Sequence, residues 1–215
     1  MIKVAPSILT ADFLNLGRDI GMLNACADYI HLDIMDGTFV PNISFGFPVV
    51  KAISGIAAIP MDAHLMTVHP ERWFRTLAEY GVGMVSFHLD AAGKRCLENI
   101  REIHSLGMKA GIAVNPDIDI KRLYQYIGEA DFFLVMSVFA GFGGQKFIYE
   151  SLDRIAGLRA EIDKCGAQGL IEVDGGIGVD NAGAVREAGA DIIVAGSSVF
   201  SSENPFDVVE ALKKA

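Results

Sequence analysis

The first chemistry in this chain comes from two side chains two positions apart, His31 and Asp33 in the run Tyr29-Ile30-His31-Leu32-Asp33-Ile34-Met35-Asp36-Gly37. In an extended strand such residues share a face, so an imidazole and a carboxylate stand together while Ile30, Leu32 and Ile34 point the other way. The pair suits a metal ion; taken alone, a hydrogen-bonded polar patch explains it equally well. Two further runs shift the balance. Asp62-Ala63-His64-Leu65-Met66 ends in a second histidine, and Glu172-Val173-Asp174-Gly175-Gly176-Ile177 carries a second aspartate into a glycine turn. Packing is a poor explanation for four potential ligands at equivalent strand ends, so His31, Asp33, His64 and Asp174 are expected to form a metal centre. Two imidazoles and two carboxylates suit one divalent ion, whether zinc, iron(II), manganese or cobalt. Glu172 shares the parity of Asp174 but lies deeper, which fits a partner to a ligand better than a ligand.

The remaining histidines carry less. His69 precedes Pro70 and is expected to be a solvated cap, and His104 to lie on a surface helix. His88 ends the run Ser86-Phe87-His88-Leu89-Asp90, where it either supports the site or only packs.

A second kind of chemistry lies in the glycine turns Gly141-Phe142-Gly143-Gly144, Gly175-Gly176 and Gly196-Ser197-Ser198. Bare backbone N–H groups in such turns bind phosphate oxygens, and glycine permits close approach. One pair would be weak evidence. Three turns after consecutive strands favour phosphate binding over ordinary loop glycines.

These residues need strands to hold them. Short apolar runs at residues 4–9, 29–34, 61–66, 84–88, 109–114, 132–137, 170–174 and 191–195 read as strands. Several lack polar alternation, as expected of parallel strands covered on both faces. Helical stretches lie between them. Pro70-Glu71-Arg72 opens one; Leu97, Ile100, Ile103 and Leu106 form the apolar stripe of another that stops at Gly107. A further helix stops at Gly189, and the last runs from about Pro205 to Lys214 with its lysines at the C-terminal end. Eight strands alternating with eight helices predict an α/β fold, a single (β/α)₈ TIM barrel over residues 1–215. A doubly wound sheet would usually carry a glycine fingerprint after its first strand, where this chain has Ser7-Ile8-Leu9-Thr10. In a barrel the chemistry sits at the C-terminal strand ends, where all these motifs fall.

The bulk properties bound the partners. A formal net charge of -9 over 215 residues disfavours nucleic acid and anionic membrane surfaces. An anionic substrate must then be held by local donors, and Lys146 is the only cation within the glycine turns. Three dispersed cysteines, no signal-like N-terminus and no long apolar run predict a cytoplasmic protein. A homo-oligomer is also expected.

The motifs together resemble one family. Ala5-Pro6-Ser7-Ile8-Leu9, residues 31–37, Phe39-Val40-Pro41-Asn42, residues 62–66, Gly141-Phe142-Gly143-Gly144-Gln145, residues 172–177 and Ala195-Gly196-Ser197 are similar, in order and through nearly the whole chain, to the ribulose-phosphate 3-epimerase family. The resemblance implies a ribulose-phosphate-binding barrel with the four residues above as metal ligands and Asp33 and Asp174 as acid and base. It also implies substrate contacts from Ser7 and His64, and a phosphate pocket of Gly141, Phe142, Gly143, Gly144, Gly175, Gly176, Gly196 and Ser197. Met35, Met66 and Met136 would form a collar around the reacting carbons, a role compatible with packing. Two departures stand out: Phe139-Ala140 where the family commonly has Asn-Pro, and Asp90 where it commonly has glutamate.

The implied reaction is epimerisation of a phosphorylated ketose, D-ribulose 5-phosphate to D-xylulose 5-phosphate, in the pentose phosphate pathway. One aspartate would take the C3 proton from one face to give an enediolate, and the other would return a proton to the opposite face. Epimerisation of a phosphorylated hexulose such as D-allulose 6-phosphate is the nearest alternative, and a non-catalytic sugar-phosphate-binding barrel another. An aldolase or decarboxylase would need a lysine at a strand end, and Lys109 begins its strand.

Overall fold

A computed structural model describes residues 2–215. Among them run the strands β1 (Lys3–Pro6), β2 (Ile30–Met35), β3 (Met61–Met66), β4 (Met84–His88), β5 (Lys109–Val114), β6 (Phe132–Met136), β7 (Leu170–Asp174) and β8 (Ile192–Ala195). All pair in parallel, in the order β1-β8-β7-β6-β5-β4-β3-β2. A parallel bridge between Ser7 and His31 joins the two ends of that order and brings the sheet round into a (β/α)₈ barrel.

Alternation along each strand sorts side chains between two cores. One set, including Ile30, Leu32, Leu65, Val85, Phe87, Ile112, Phe133, Val135, Ile171, Val173 and Ile193, packs outward against the helices in one large apolar cluster. The other set fills the barrel. Ala5, Tyr29, Met84, Phe132 and Ile192 make an apolar plug at its floor, and Val194 continues that cluster up to the cleft. Gly111 on β5 leaves room for that plug, since a Cβ there would sit 2.3 Å from the Phe132 ring. Above the floor the interior turns polar: His31, Asp62, Ser86 and Glu172 are all wholly buried.

The helices differ from the sequence expectation in three places. The β5–β6 connection is a 3₁₀-helix, Ile120–Tyr126, rather than an α-helix. Its buried residues, Ile120, Leu123 and Tyr126, recur every three positions, in step with the 3.0-residue turn. Pro70–Arg72 forms only a 3₁₀ turn, with the α-helix starting at Phe74. In Cys96–Ser105 the face turned inward is Cys96, Asn99, Ile100 and Ile103, while Leu97 is exposed.

The first strand is shorter than its apolar run suggests. Residues 4–9 read as extended, yet β1 stops at Pro6 and Ile8–Thr10 turns into a 3₁₀-helix. The Ser7 hydroxyl accepts from the Leu9 N–H and caps that turn, competing with further ladder pairing. Strands β3, β4, β5 and β7 have the predicted bounds.

Candidate metal and phosphate site

His31 and Asp33 project inward from β2, His64 from β3 and Asp174 from β7, with Asp33 and His64 directly opposite in register. Pleating puts alternate residues on the inner face, so the H-x-D run of β2 and the D-x-H run of β3 build one polar tier. Asp33 lies at its centre. Its Oδ1 is 3.1 Å from His64 Nδ1 and 3.5 Å from His31 Nε2, and its Oδ2 accepts from the Ser7 hydroxyl at 2.5 Å. Asp174 Oδ2 lies 3.9 Å from His64 Nδ1. One donor atom from each of the four residues lies within 4.8 Å of all the others.

The donor set fits a divalent ion. His31 Nε2 is buried, faces this cluster and makes no hydrogen bond, an arrangement that a cation would satisfy. The Asp33 backbone is fixed too, because the Ser44 hydroxyl donates to its carbonyl while accepting from the Met35 N–H.

The two carboxylates sit in unlike surroundings. Burial alone would raise the Asp33 pKa, but the neighbouring His31 and His64 outweigh it and hold the carboxyl well below its usual range. Burial and the Asp33 charge push Asp174 up to about 8. His31 follows the same balance from the other side: burial disfavours its charge, yet Asp33 and Asp62 raise its pKa well above the ordinary value. Burial lowers His64, and burial with His64 alongside lowers His88 further.

Beneath the four residues lies a second, deeper group of His31, Asp62 and Glu172. His31 Nδ1 is 2.7 Å from Asp62 Oδ2 and 3.7 Å from Glu172 Oε1. Burial and the nearby Asp62 push Glu172 well above the usual carboxylate range. Glu172 beside His31 belongs to the support of the site, in line with its deeper position on β7.

Above the four residues opens a cleft. Ser7, Asp33, Met35, Met66, Met136 and Asp174 line its base. Gly141, Phe142, Gly143, Gly144, Gly175, Gly176, Gly196 and Ser197 line its other side. His31 and His64 lie below, fully buried and outside the lining. Gly176 shows why glycine stands in the β7 turn. Its φ is +64°, and a Cβ would meet the Phe147 nitrogen at 2.4 Å, so the loop after β6 can approach only a bare backbone. That loop is tied across the cleft by Asn42 Nδ2, which donates to the Gly141 carbonyl at 2.8 Å. A four-residue helix, Ser197–Phe200, follows β8 with no side chain capping it.

The departures noted in the sequence fall in different places. Phe139 and Ala140 line the cleft, and the Ala140 N–H donates to Asn115 Oδ1 at 3.1 Å, a bond proline could not make. Asp90 pairs with Arg122 at 3.0 Å on an exposed face, away from the cleft.

Two site residues are not apparent from the sequence motifs. Asp62 shares parity with His64 and stands opposite His31 in register, a signal available once β2 and β3 are paired. Thr10 lines the cleft with a buried, unpartnered hydroxyl and lies just past the apolar run of the first strand. His88, for which the sequence allows two roles, sits against the cluster with its Nε2 2.9 Å from His64 Nε2. His69 makes no capping hydrogen bond and instead lies 3.6 Å from Glu71; the neighbouring 3₁₀ turn, not an α-helix, follows it. His104 pairs with Asp131 at 2.7 Å on the outside.

Comparison with known proteins places these features in context. The model of the Ribulose-phosphate 3 epimerase family matches residues 3–200. A ribulose-phosphate 3-epimerase of Mycobacterium bovis is 42% identical over 211 residues, covering 98% of this chain and 91% of that protein. One from Synechocystis sp. is 42% identical over 216 residues, covering 100% and 94%. Among solved structures, a 3-hexulose-6-phosphate synthase superimposes with a TM-score of 0.74 at 16% identity, covering 99% of each chain, a likeness of fold.

Proposed function

The chain belongs to the ribulose-phosphate 3-epimerase family, and from that membership we propose that residues 1–215 act as one catalytic domain interconverting D-ribulose 5-phosphate and D-xylulose 5-phosphate. It is an enzyme, an isomerase acting on carbohydrates. Relatives carrying the ribulose-phosphate 3-epimerase name disfavour both a hexulose phosphate substrate and a non-catalytic role. The observation that carries the mechanism is the convergence of His31, Asp33, His64 and Asp174 beneath a cleft in which both aspartates are exposed to a ligand.

His31, Asp33, His64 and Asp174 would hold one divalent ion, with zinc, iron(II), manganese and cobalt all suited to the donor set. When bound, the ion supplies Lewis-acid stabilisation for negative charge on the substrate's oxygens. Asp33 and Asp174 project from β2 and β7, on different sides of the barrel. A ketose seated between them presents opposite faces of C3 to the two carboxyl groups. The ionised aspartate takes the C3 proton, leaving the enediolate, and the protonated one delivers its proton to the other face. Reversal exchanges the two roles, so the pair must hold one proton between them.

Ser7 holds Asp33 through its hydroxyl and lines the cleft, where it can also meet the substrate. Met35, Met66 and Met136 exclude water around the reacting carbons with polarisable, adaptable side chains. The phosphate sits among Gly141, Phe142, Gly143, Gly144, Gly175, Gly176, Gly196 and Ser197, whose backbone donors neutralise it locally against the net charge of -9.

Family membership supports a place in the pentose phosphate pathway, and the free thiols of Cys26, Cys96 and Cys165 suit a reducing, cytoplasmic location. No helix among the described residues is long and apolar enough to cross a membrane. Exposed Phe13, Leu14 and Ile43 support a homo-oligomer, which a monomer mass in light scattering would refute. The test of the function is an epimerase assay on D-ribulose 5-phosphate with metal stripped and then restored. Activity is expected to vanish and return; full activity after rigorous chelation overturns the proposal.

A further inference from the structure

We propose that Asp62 and His88 are positioning residues that make the two histidines present opposite ring nitrogens to the metal, Nε2 from His31 and Nδ1 from His64. This rests on the metal site proposed above.

A histidine can bind a cation through either nitrogen, and the hydrogen bond made by the other nitrogen decides which. At His31 the decision falls to Asp62. Its Oδ2 lies 2.7 Å from His31 Nδ1, and both side chains are wholly buried. A carboxylate only accepts, so Nδ1 carries the hydrogen and Nε2 keeps its lone pair. That Nε2 is the nitrogen without a hydrogen bond, 3.5 Å from Asp33 Oδ1.

At His64 the arrangement is reversed. Nδ1 faces Asp33 at 3.1 Å and Asp174 at 3.9 Å, while Nε2 points away to His88 Nε2 at 2.9 Å. Two nitrogens at that distance share one hydrogen. With Nδ1 of His64 in the metal cluster, the hydrogen belongs to its Nε2 and His88 Nε2 accepts it. Phe39 packs against His88 at a ring-centroid distance of 4.7 Å and holds it in place. Both positions follow from pleating. Asp62 shares the inner face of β3 with His64, and His88 ends the inner row of the adjacent strand β4. If the two residues merely filled space, the identity of the ligating nitrogen would not depend on them.

The test uses zinc-loaded protein with ¹⁵N-labelled histidine. Long-range ¹H–¹⁵N correlation is expected to place the retained ring hydrogen on Nδ1 of His31 and on Nε2 of His64; either hydrogen on the other nitrogen overturns the inference. In parallel, zinc affinity is read by competition with a chromophoric chelator. Asp62→Leu and His88→Phe, which keep bulk and remove the acceptor, are expected to weaken zinc about 10–100-fold. His88→Gln, which restores an acceptor, should recover most of that loss. Unchanged zinc affinity in both acceptor-less variants also overturns it. Should a variant fail to fold, the ring-hydrogen measurement on the unaltered protein still decides. If the unaltered protein binds no zinc, the metal site itself falls; zinc bound through the other nitrogens sinks this inference alone.

Discussion

Asp33 and Asp174 sit in one cluster but experience different fields, and their chemistry follows from that difference. Two histidines and the Ser7 hydroxyl surround Asp33, whereas Asp174 is half-buried beside another carboxylate. Asp33→Asn and Asp174→Asn are each expected to lower kcat by at least about 10²–10⁴-fold, the range for a positioned acid or base. Metal content measured alongside separates lost chemistry from a lost ligand; a metal-replete variant with near-normal kcat would remove that residue from the proton transfer. The raised pKa of Asp174, about 8, also bears on metal binding. Protonation weakens a carboxylate's hold on a cation, so protons compete with the ion below that pKa, and affinity falls as pH drops. One competing proton gives up to about tenfold per pH unit. Chelator competition between about pH 6 and 9 should show affinity climbing with pH; a flat profile would contradict the assignment of Asp174 as a ligand.

Among the elements, the loops after β6 and β7 depend on each other. Gly176 takes φ +64° with the Phe147 nitrogen 2.4 Å from where a Cβ would stand. Gly176→Ala is expected to destabilise by about 1–3 kcal/mol and to raise KM for the phosphorylated substrate more than it lowers kcat. Thermal unfolding with steady-state kinetics would check both, and an unchanged KM would take this turn out of the phosphate pocket. Strand residues are the most legible part of the chain. The parity of His31 with Asp33 follows from β geometry alone, and the bounds of β3, β4, β5 and β7 follow from apolar runs. Pairings across strands are not legible. Asp62 reads as an ordinary strand residue until β2 and β3 are in register, when it falls opposite His31. Helix type is lost where spacing is ambiguous: the three-residue recurrence of Ile120, Leu123 and Tyr126 contains too few turns to distinguish 3₁₀ from α.

The whole molecule is graded from an apolar floor around Phe132, through the buried polar tier of His31, Asp62 and Glu172, to the glycine-lined cleft. Barrel architecture is readable from strand–helix alternation, the mouth from the motifs that end the strands, and the deeper Glu172 from its parity with Asp174; the burial of Asp62 is not, because it makes sense only around a site. A metal that binds the native cluster and not the unfolded chain must stabilise the entire barrel, by about 2.7 kcal/mol at a free concentration 100 times Kd. Calorimetry should therefore show Tm rising with added zinc, and a Tm independent of metal would contradict a site built from three strands. The reaction itself turns on two aspartates handling the C3 proton on opposite faces. Turnover in deuterium oxide, with the product read by proton NMR, decides whether they do. A delivering carboxyl that has exchanged with solvent must leave deuterium at C3 of every inverted molecule; inverted product that keeps its original C3 hydrogen would contradict the two-aspartate mechanism.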